Sequence, residues 1–324
     1  MARAVERLRA GGLVAFATET VYGLGADAFN PAAIDAVYAL KGRPAHNPLI
    51  VHVTGADMAR RVVASWTDEA ERLARAFWPG PLSIVLPRAA DLPAIVTAGG
   101  PNVAVRCPDH PTALALLFEF GGPLVGPSAN PSGRVSPTTA EHVRQAFGPD
   151  RVMVLDGGPC ATGIESTVVS LAEPVARVLR PGVIGPAAIA RALGRAVELG
   201  ARAPASGSAP LESPGLLDQH YAPEAEAVLF DEHQWPAVLA AGAGRRIAVV
   251  SHWNRPVPAP HRLIVLPATA GEYAAMLYAA LREADRPGGL IAVERPPVGA
   301  GASEGDAAVW QAVADRLRRA TRAL

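Results

Sequence analysis

Only two cysteines occur in 324 residues, Cys107 and Cys160, and they lack CxxC spacing. Neither a disulfide framework nor a zinc ribbon can be the basis of such a fold. Lysine is scarcer still, because Lys41 is the one lysine among 30 basic residues. No apolar run approaches the roughly 20 residues of a membrane span. The opening MARAVERLRAGGLVAF carries charge without a secretory apolar core and small-residue cleavage site, so a soluble, cytoplasmic protein is expected. Net charge is missing as well: the chain is formally +0, and residues 1–200 hold 18 basic against 17 acidic side chains. With aromatics at 5%, that balance argues against a broad nonspecific nucleic-acid footprint and leaves an RNA-binding module only a distant alternative.

What is present is enough chain for two domains, half of it hydrophobic. Over residues 1–199 strands and helices alternate irregularly, which predicts an α/β domain with a mixed sheet. Strands are expected at 13–18, 48–53, 82–86, 103–106, 123–126, 151–155, 166–171 and 175–180. Helices are expected at 2–10, 31–41, 57–64, 68–78, 111–120, 138–147 and 186–194. Residues 200–223 shift to Ala, Pro, Gly and Ser and read as a linker. Regular alternation over 224–324 then predicts a smaller, Rossmann-like α/β domain with a parallel sheet. Gly299 to Gly305 superficially resembles a dinucleotide fingerprint, but its spacing is wrong and Pro296-Pro297 intervene.

The chemistry concentrates in short polar interruptions of apolar strands. ATETVYGLGA, Ala17 to Ala26, follows Leu13-Val14-Ala15-Phe16 and reads either as a Gly-rich loop approaching a ligand or as a hairpin turn. One helix later come Lys41, Arg43 and Asn47. A point charge and a planar fork beside such a loop fit phosphate binding, and the alternative is capping of the helix C-terminus. Arg106 ends an alternating strand, where burial would demand an anion or an internal salt bridge. Ser128, Asn130 and Ser136 lie in a hydroxyl- and amide-rich loop before a helix, a place for capping or for phosphate. Ser166 begins a strand with polar residues, and Arg180 ends the next one.

Taken together, TETVYGLGA, KGRP with NPLIVHV, FWPGPLSIVL, VAVRCP, GPSANPSG with SPT, GIESTVV and LRPG resemble the threonylcarbamoyl-AMP synthase family over residues 5–195. SPGLLDQHYAP, Ser213 to Pro223, resembles the linker of its longer, two-domain branch, with Leu217 and Gln219 where basic residues are common. The resemblance implies a YrdC-like twisted mixed sheet with helices around a concave cavity. It implies synthesis of L-threonylcarbamoyladenylate and pyrophosphate from L-threonine, bicarbonate or CO2, and ATP with Mg²⁺. The product would feed threonylcarbamoyladenosine formation on tRNA beside the anticodon, through a downstream transfer machinery. By the same resemblance Thr20, His52, Arg106, Ser128 and Ser166 belong to a threonine pocket. Lys41, Arg43, Asn47, Asn130, Ser136 and Arg180 belong to ATP, with Lys41 and Arg43 stabilising the transferring phosphate. Ser213, Pro214, Gly215, His220 and Tyr221 would form a lid, and no covalent nucleophile is implied. The alternative enzyme is a carbamoyl-adenylate-forming carbamoyltransferase, whose maturation-type members need zinc fingers that two cysteines cannot supply.

Overall fold

A computed structural model describes residues 1–148, 150–200, 210–215, 220–296 and 302–324. Leu217 and Gln219 in the linker, and Gly299 to Gly301 of the glycine run, lie outside the described residues. The strands are β1 Val14–Phe16, β2 Gly23–Asp27, β3 Ile50–His52, β4 Leu82–Pro87, β5 Asn102–Arg106, β6 Leu124–Val125, β7 Met153–Leu155 and β8 Thr167–Ser170. They continue as β9 Arg177–Arg180, β10 Glu198–Leu199, β11 Glu226–Phe230, β12 Ile247–Ser251, β13 Arg262–Val265, β14 Leu290–Glu294 and β15 Arg322–Ala323. The helices are α1 Ala2–Arg9, α2 Pro31–Lys41, α3 Ala56–Ala59, α4 Asp68–Phe77, α5 Pro111–Phe120, α6 Ala140–Phe147, α7 Pro186–Leu193, α8 Trp235–Ala241, α9 Ala270–Ala284 and α10 Glu304–Ala320.

The first ten strands form one mixed sheet in the order β10-β9-β8-β4-β5-β3-β6-β2-β1-β7. Period-two alternation divides its side chains. Val51, Val105, Val169 and Val178 enter the main core beneath α2 and α4, whereas Ile50, Ala104, Val168 and Leu179 point to the opposite face. On that opposite face the same parity places His52 and Arg106, which are register partners on the parallel pair β3 and β5. The register of β8 against β9 shifts between Val168 and Val169, so Leu179 is an extra residue between paired Val178 and Arg180. Such a bulge re-aims a strand end, and it turns Arg180 toward the face that Leu179 occupies.

The last five strands form an entirely parallel sheet, β13-β12-β14-β11-β15. Ala248, Val250, Ile291 and Val293 pack under α9 and α10, while Ile247, Val249, Leu290 and Ala292 pack against the α8 side, giving three layers. Among the described residues no helix is long and apolar enough to cross a membrane.

Local signals explain several boundaries and correct others. Asn30 caps α2 by accepting from the Ala33 amide, Pro31 begins it, and Gly42 ends it at φ +59. The helix expected over 57–64 is only the single turn α3, and α6 starts at Ala140 because Thr139 accepts from the His142 amide. The larger correction concerns Gly23 and Gly25, which belong to β2, antiparallel to β1, rather than to an open loop. A Cβ on Gly25 would come within 2.9 Å of the Phe16 ring, so this glycine lets a fully buried aromatic lie across the strand. Burying such a ring contributes about 2–3 kcal/mol. The hairpin alternative is the one the strands bear out, since β1 and β2 pair, while Thr18, Thr20 and Val21 between them line a cavity.

Candidate functional site

The cavity opens on the second face of the large sheet. Thr18, Thr20, Val21 and Gly23 line it with Arg43, Ile50, His52, Arg106, Pro127, Ser128, Glu165 and Arg180, and Pro214, Gly215, His220 and Tyr221 close it. It holds about 50 Å³, room for a few water molecules.

On one side Arg106 is the centre. Its Nε donates to the Gly80 carbonyl at 3.2 Å and its Nη1 to Thr20 Oγ1 at 2.9 Å, while Nη2 pairs with the Glu19 carboxylate at 2.7 Å. Glu19, which sequence reading passed over, is thus the internal salt-bridge partner weighed for a buried Arg106. The Thr18 hydroxyl lies 2.9 Å from that of Thr20 and donates to the Val21 carbonyl at 2.6 Å, fixing the loop. Next to Arg106, burial and its positive charge push His52 down to about 3, so the imidazole is neutral. Gly126 is needed here because a Cβ would sit 2.6 Å from His52 Nδ1.

The other side is cationic. Lys41 is buried, and its ammonium donates to the carbonyls of Ser128 at 2.6 Å and Asn130 at 2.5 Å. It does not cap its own helix, and two of its three protons are used. Burial and then Arg43 hold it well below its ordinary value. Arg43 donates to the Asn47 side chain at 2.7 Å and the Pro48 carbonyl at 2.6 Å, and burial lowers it to about 10. Arg180 donates to the Ser166 carbonyl at 3.0 Å and hydroxyl at 3.1 Å, and reaches the Pro214 carbonyl at 3.5 Å. Burial lowers it too.

Of the residues singled out from sequence, Thr20, Arg43, His52, Arg106, Ser128 and Arg180 line the cavity with Pro214, Gly215, His220 and Tyr221. Lys41, Asn47, Asn130, Ser136 and Ser166 stand behind that lining. Asn47 braces Arg43, and the Asn130 amide donates to the Pro131 and Arg134 carbonyls at 3.0 and 2.7 Å. The Ser166 hydroxyl lies 2.9 Å from that of Ser83 and accepts from Arg180. Ser136 donates to Glu165 at 2.6 Å, free to do so because Thr139 is the helix cap. Ser213 is buried and its hydroxyl donates to the Pro214 carbonyl at 3.2 Å. Cys107 and Cys160 are buried thiols, pushed up by burial to about 11 and about 12, and are unsuited to nucleophilic work.

The linker is docked on both halves. Leu211 N donates to the His46 carbonyl and Ala222 N to Gly133, while His220 N donates to Arg319 of α10. Tyr221 is buried at φ +60, and its ring meets His220 edge-on at 4.0 Å. Among the described residues no group of three or more His, Cys, Asp or Glu is placed to hold a metal. Glu19 and Glu165 are each bound to an arginine, so these residues do not form a resident magnesium cage.

A ten-stranded mixed sheet with a roofed cationic cavity defines the class: an α/β protein of the YrdC-like fold with a parallel-sheet C-terminal domain. Escherichia coli YciO shares the fold of the first part, at 22% identity and TM-score 0.50 over 56% of this chain and 88% of that one. Residues 6–182 match the Sua5_yciO_yrdC family, described as "Telomere recombination", and residues 184–321 match "Threonylcarbamoyl-AMP synthase, C-terminal domain". The threonylcarbamoyl-AMP synthase of Pyrococcus abyssi is 36% identical over 87% of this chain and 84% of its own, and that of Bacillus subtilis 44% identical over 76% and 68%. The P. abyssi Sua5 structure complexed with L-threonine superposes with TM-score 0.84 at 35% identity, covering 99% of this chain and 95% of that one. This chain belongs to the threonylcarbamoyl-AMP synthase family.

Proposed function

We propose that this enzyme is a nucleotidyltransferase that joins L-threonine, CO2 or bicarbonate, and ATP into L-threonylcarbamoyladenylate and pyrophosphate. The observation carrying this reading is surplus buried positive charge. Arg43 and Arg180 line one edge of the cavity with Lys41 behind them, and burial lowers all three. Arg106 and Thr20 suit the amino-acid carboxylate and hydroxyl, with neutral His52 and Ser128 completing that wall.

The threonine amine adds to CO2, forming a C–N bond and releasing one proton. A carbamate oxygen then attacks the α-phosphorus of ATP, and the bond to pyrophosphate breaks. No enzyme nucleophile enters. The chain contributes positioning and charge neutralisation, with the third Lys41 proton and the Arg43 and Arg180 forks turned to phosphate. Asn47, Asn130, Ser136 and Ser166 act by bracing these groups. Magnesium would arrive on the ATP phosphates, the usual arrangement for that ion. The segment bearing Pro214, Gly215, His220 and Tyr221 closes the cavity and acts as a lid that opens for substrate and closes to exclude water. The product passes to the machinery that modifies tRNA in the cytoplasm. Mass spectrometry of the protein with labelled ATP, threonine and bicarbonate tests this, expecting a species that contains AMP, threonine and one bicarbonate carbon. Pyrophosphate release that does not depend on threonine would contradict it.

A further inference from the structure

We infer that Arg316, on α10 of the C-terminal domain, is a positioning residue of the cavity: it neutralises Glu165 so that Arg180 remains available to a substrate anion. The inference rests on reading the cavity as the ATP and L-threonine site.

Arg316 has no exposed surface, and it projects from the buried side of α10 with Val309, Val313 and Leu317. Its Nε donates to Glu165 Oε2 at 2.8 Å, and its Nη2 reaches the Pro181 carbonyl at 3.0 Å, the residue after Arg180. The guanidinium lies 5.2 Å from the centre of the Tyr221 ring in the roof. Tyr278 of α9 donates to the same Glu165 oxygen at 2.9 Å, and Ser136 holds the other. Glu165 lines the cavity beside Arg180. A domain interface filled by apolar residues would be at least as stable as one holding a buried ion pair, so a pair kept at this spot has a task beyond cohesion.

That task follows from charge. Burial alone would raise Glu165, but Arg316, Arg180 and the Ser136 hydrogen bond hold it below the usual carboxylate range, so the group is an anion. With Arg316 removed, Arg180 is the remaining cation in that set, and a bare carboxylate would compete for it with any phosphate in the cavity. Asp315 binds Arg316 Nη1 at 2.9 Å but is shared with Arg318 and Arg319, so it leaves the Nε of Arg316 to neutralise Glu165.

The test is steady-state kinetics and thermal melting of the full chain as wild type, Arg316→Lys, Arg316→Met, Glu165→Gln and the double Arg316→Met with Glu165→Gln. Arg316→Met should raise KM for ATP by about tenfold with a smaller change in kcat, and Arg316→Lys, which keeps the charge, should stay nearer wild type. Neutralising Glu165 should rescue: the double variant should match Glu165→Gln within about threefold in KM. A role confined to holding the domains together predicts lower melting temperatures without that rescue. Wild-type KM in Arg316→Met, or a double variant as impaired as Arg316→Met, would overturn the inference. Should Arg316→Met fail to fold, the double variant against Glu165→Gln carries the same comparison: equal KM supports it and a tenfold excess refutes it. A wild-type protein with no threonine-dependent pyrophosphate release would sink the functional reading instead, independently of any variant.

Discussion

The two sheets bury polar groups very differently. Around the cavity Thr20, Lys41, His52, Arg106, Ser166 and Arg180 are all buried, whereas among the described residues of the parallel sheet's domain buried polar side chains reduce to Ser251, Glu294 and Arg316. Burying a charge is unfavourable unless it is paired, so sites without that need revert to apolar packing, as β12 and β14 do on both faces up to their last residues, Ser251 and Glu294. The exception teaches most. Arg316 is buried in the apolar domain, yet its partner Glu165 belongs to the other one.

Replacing the buried lysine should therefore hurt far more than replacing a basic residue of the second domain. Lys41→Met removes two hydrogen bonds to the cavity loop and a phosphate charge, and should lower kcat/KM about a hundredfold or more, roughly 3 kcal/mol. Arg246→Met, at an exposed position before β12, should change it by less than about twofold. Equal losses in threonine-dependent pyrophosphate release would break the comparison.

Acid should separate the halves next. Burial holds His52 and His220 down to about 3, below the 6.5 of an unfolded chain. Between those values the unfolded state binds more protons, so stability is full above pH 6.5 and falls as pH drops toward 3. At pH 5 each histidine should have removed about 2 kcal/mol. Urea titrations from pH 7 to 4.5 should show this slope, and His52→Gln should flatten it. A slope unchanged in that variant would mean that His52 is not buried as a neutral ring.

Glycine offers a smaller contrast. Gly126→Ala drives a methyl toward His52 Nδ1, 2.6 Å away, and should destabilise by about 1–3 kcal/mol. Gly271→Ala, in the first turn of α9 with nothing within 4 Å, should stabilise by up to about 1 kcal/mol. Chemical denaturation of both variants measures the difference in sign.

How far this was legible depended on range. The order of elements and the parallel second sheet could be read from local pattern, and Lys41, Arg106 and Arg180 stood out because each ends a strand or helix, with Arg43 two residues past one, but their grouping into one site came from the family resemblance. Gly23 and Gly25 were misread as loop, since nothing in the stretch itself reveals that Phe16 lies across them. Nor could pattern reveal that Asn47, Asn130, Ser136 and Ser166 brace the cavity from behind. Glu19 and Glu165 were passed over because their arginines lie 87 and 151 residues away, given positions 106 and 316. The bulge that aims Arg180 has no signal in Val178-Leu179-Arg180 alone.

The smallest effect divides two tyrosines that look alike on burial. Tyr221 and Tyr273 are both buried, and neither hydroxyl has a hydrogen-bond partner among the described residues. An unpaired buried phenol is unfavourable, so replacing either by phenylalanine should leave the melting temperature unchanged or raise it, by up to about 1 kcal/mol in stability. Their surroundings differ. Tyr273 packs against Trp310 inside the parallel-sheet domain and does not line the cavity, whereas Tyr221 lines it and a Cβ on Gly215 would touch its hydroxyl at 2.8 Å. If the roof carries a hydroxyl unpaired until ATP or threonine is in place, Tyr221→Phe should lose that contact and raise KM by about threefold, the size expected of one neutral hydrogen bond. Tyr273→Phe should leave KM alone. Measured side by side, equal KM values in the two variants would show that the Tyr221 hydroxyl meets no substrate and that its ring alone serves the lid.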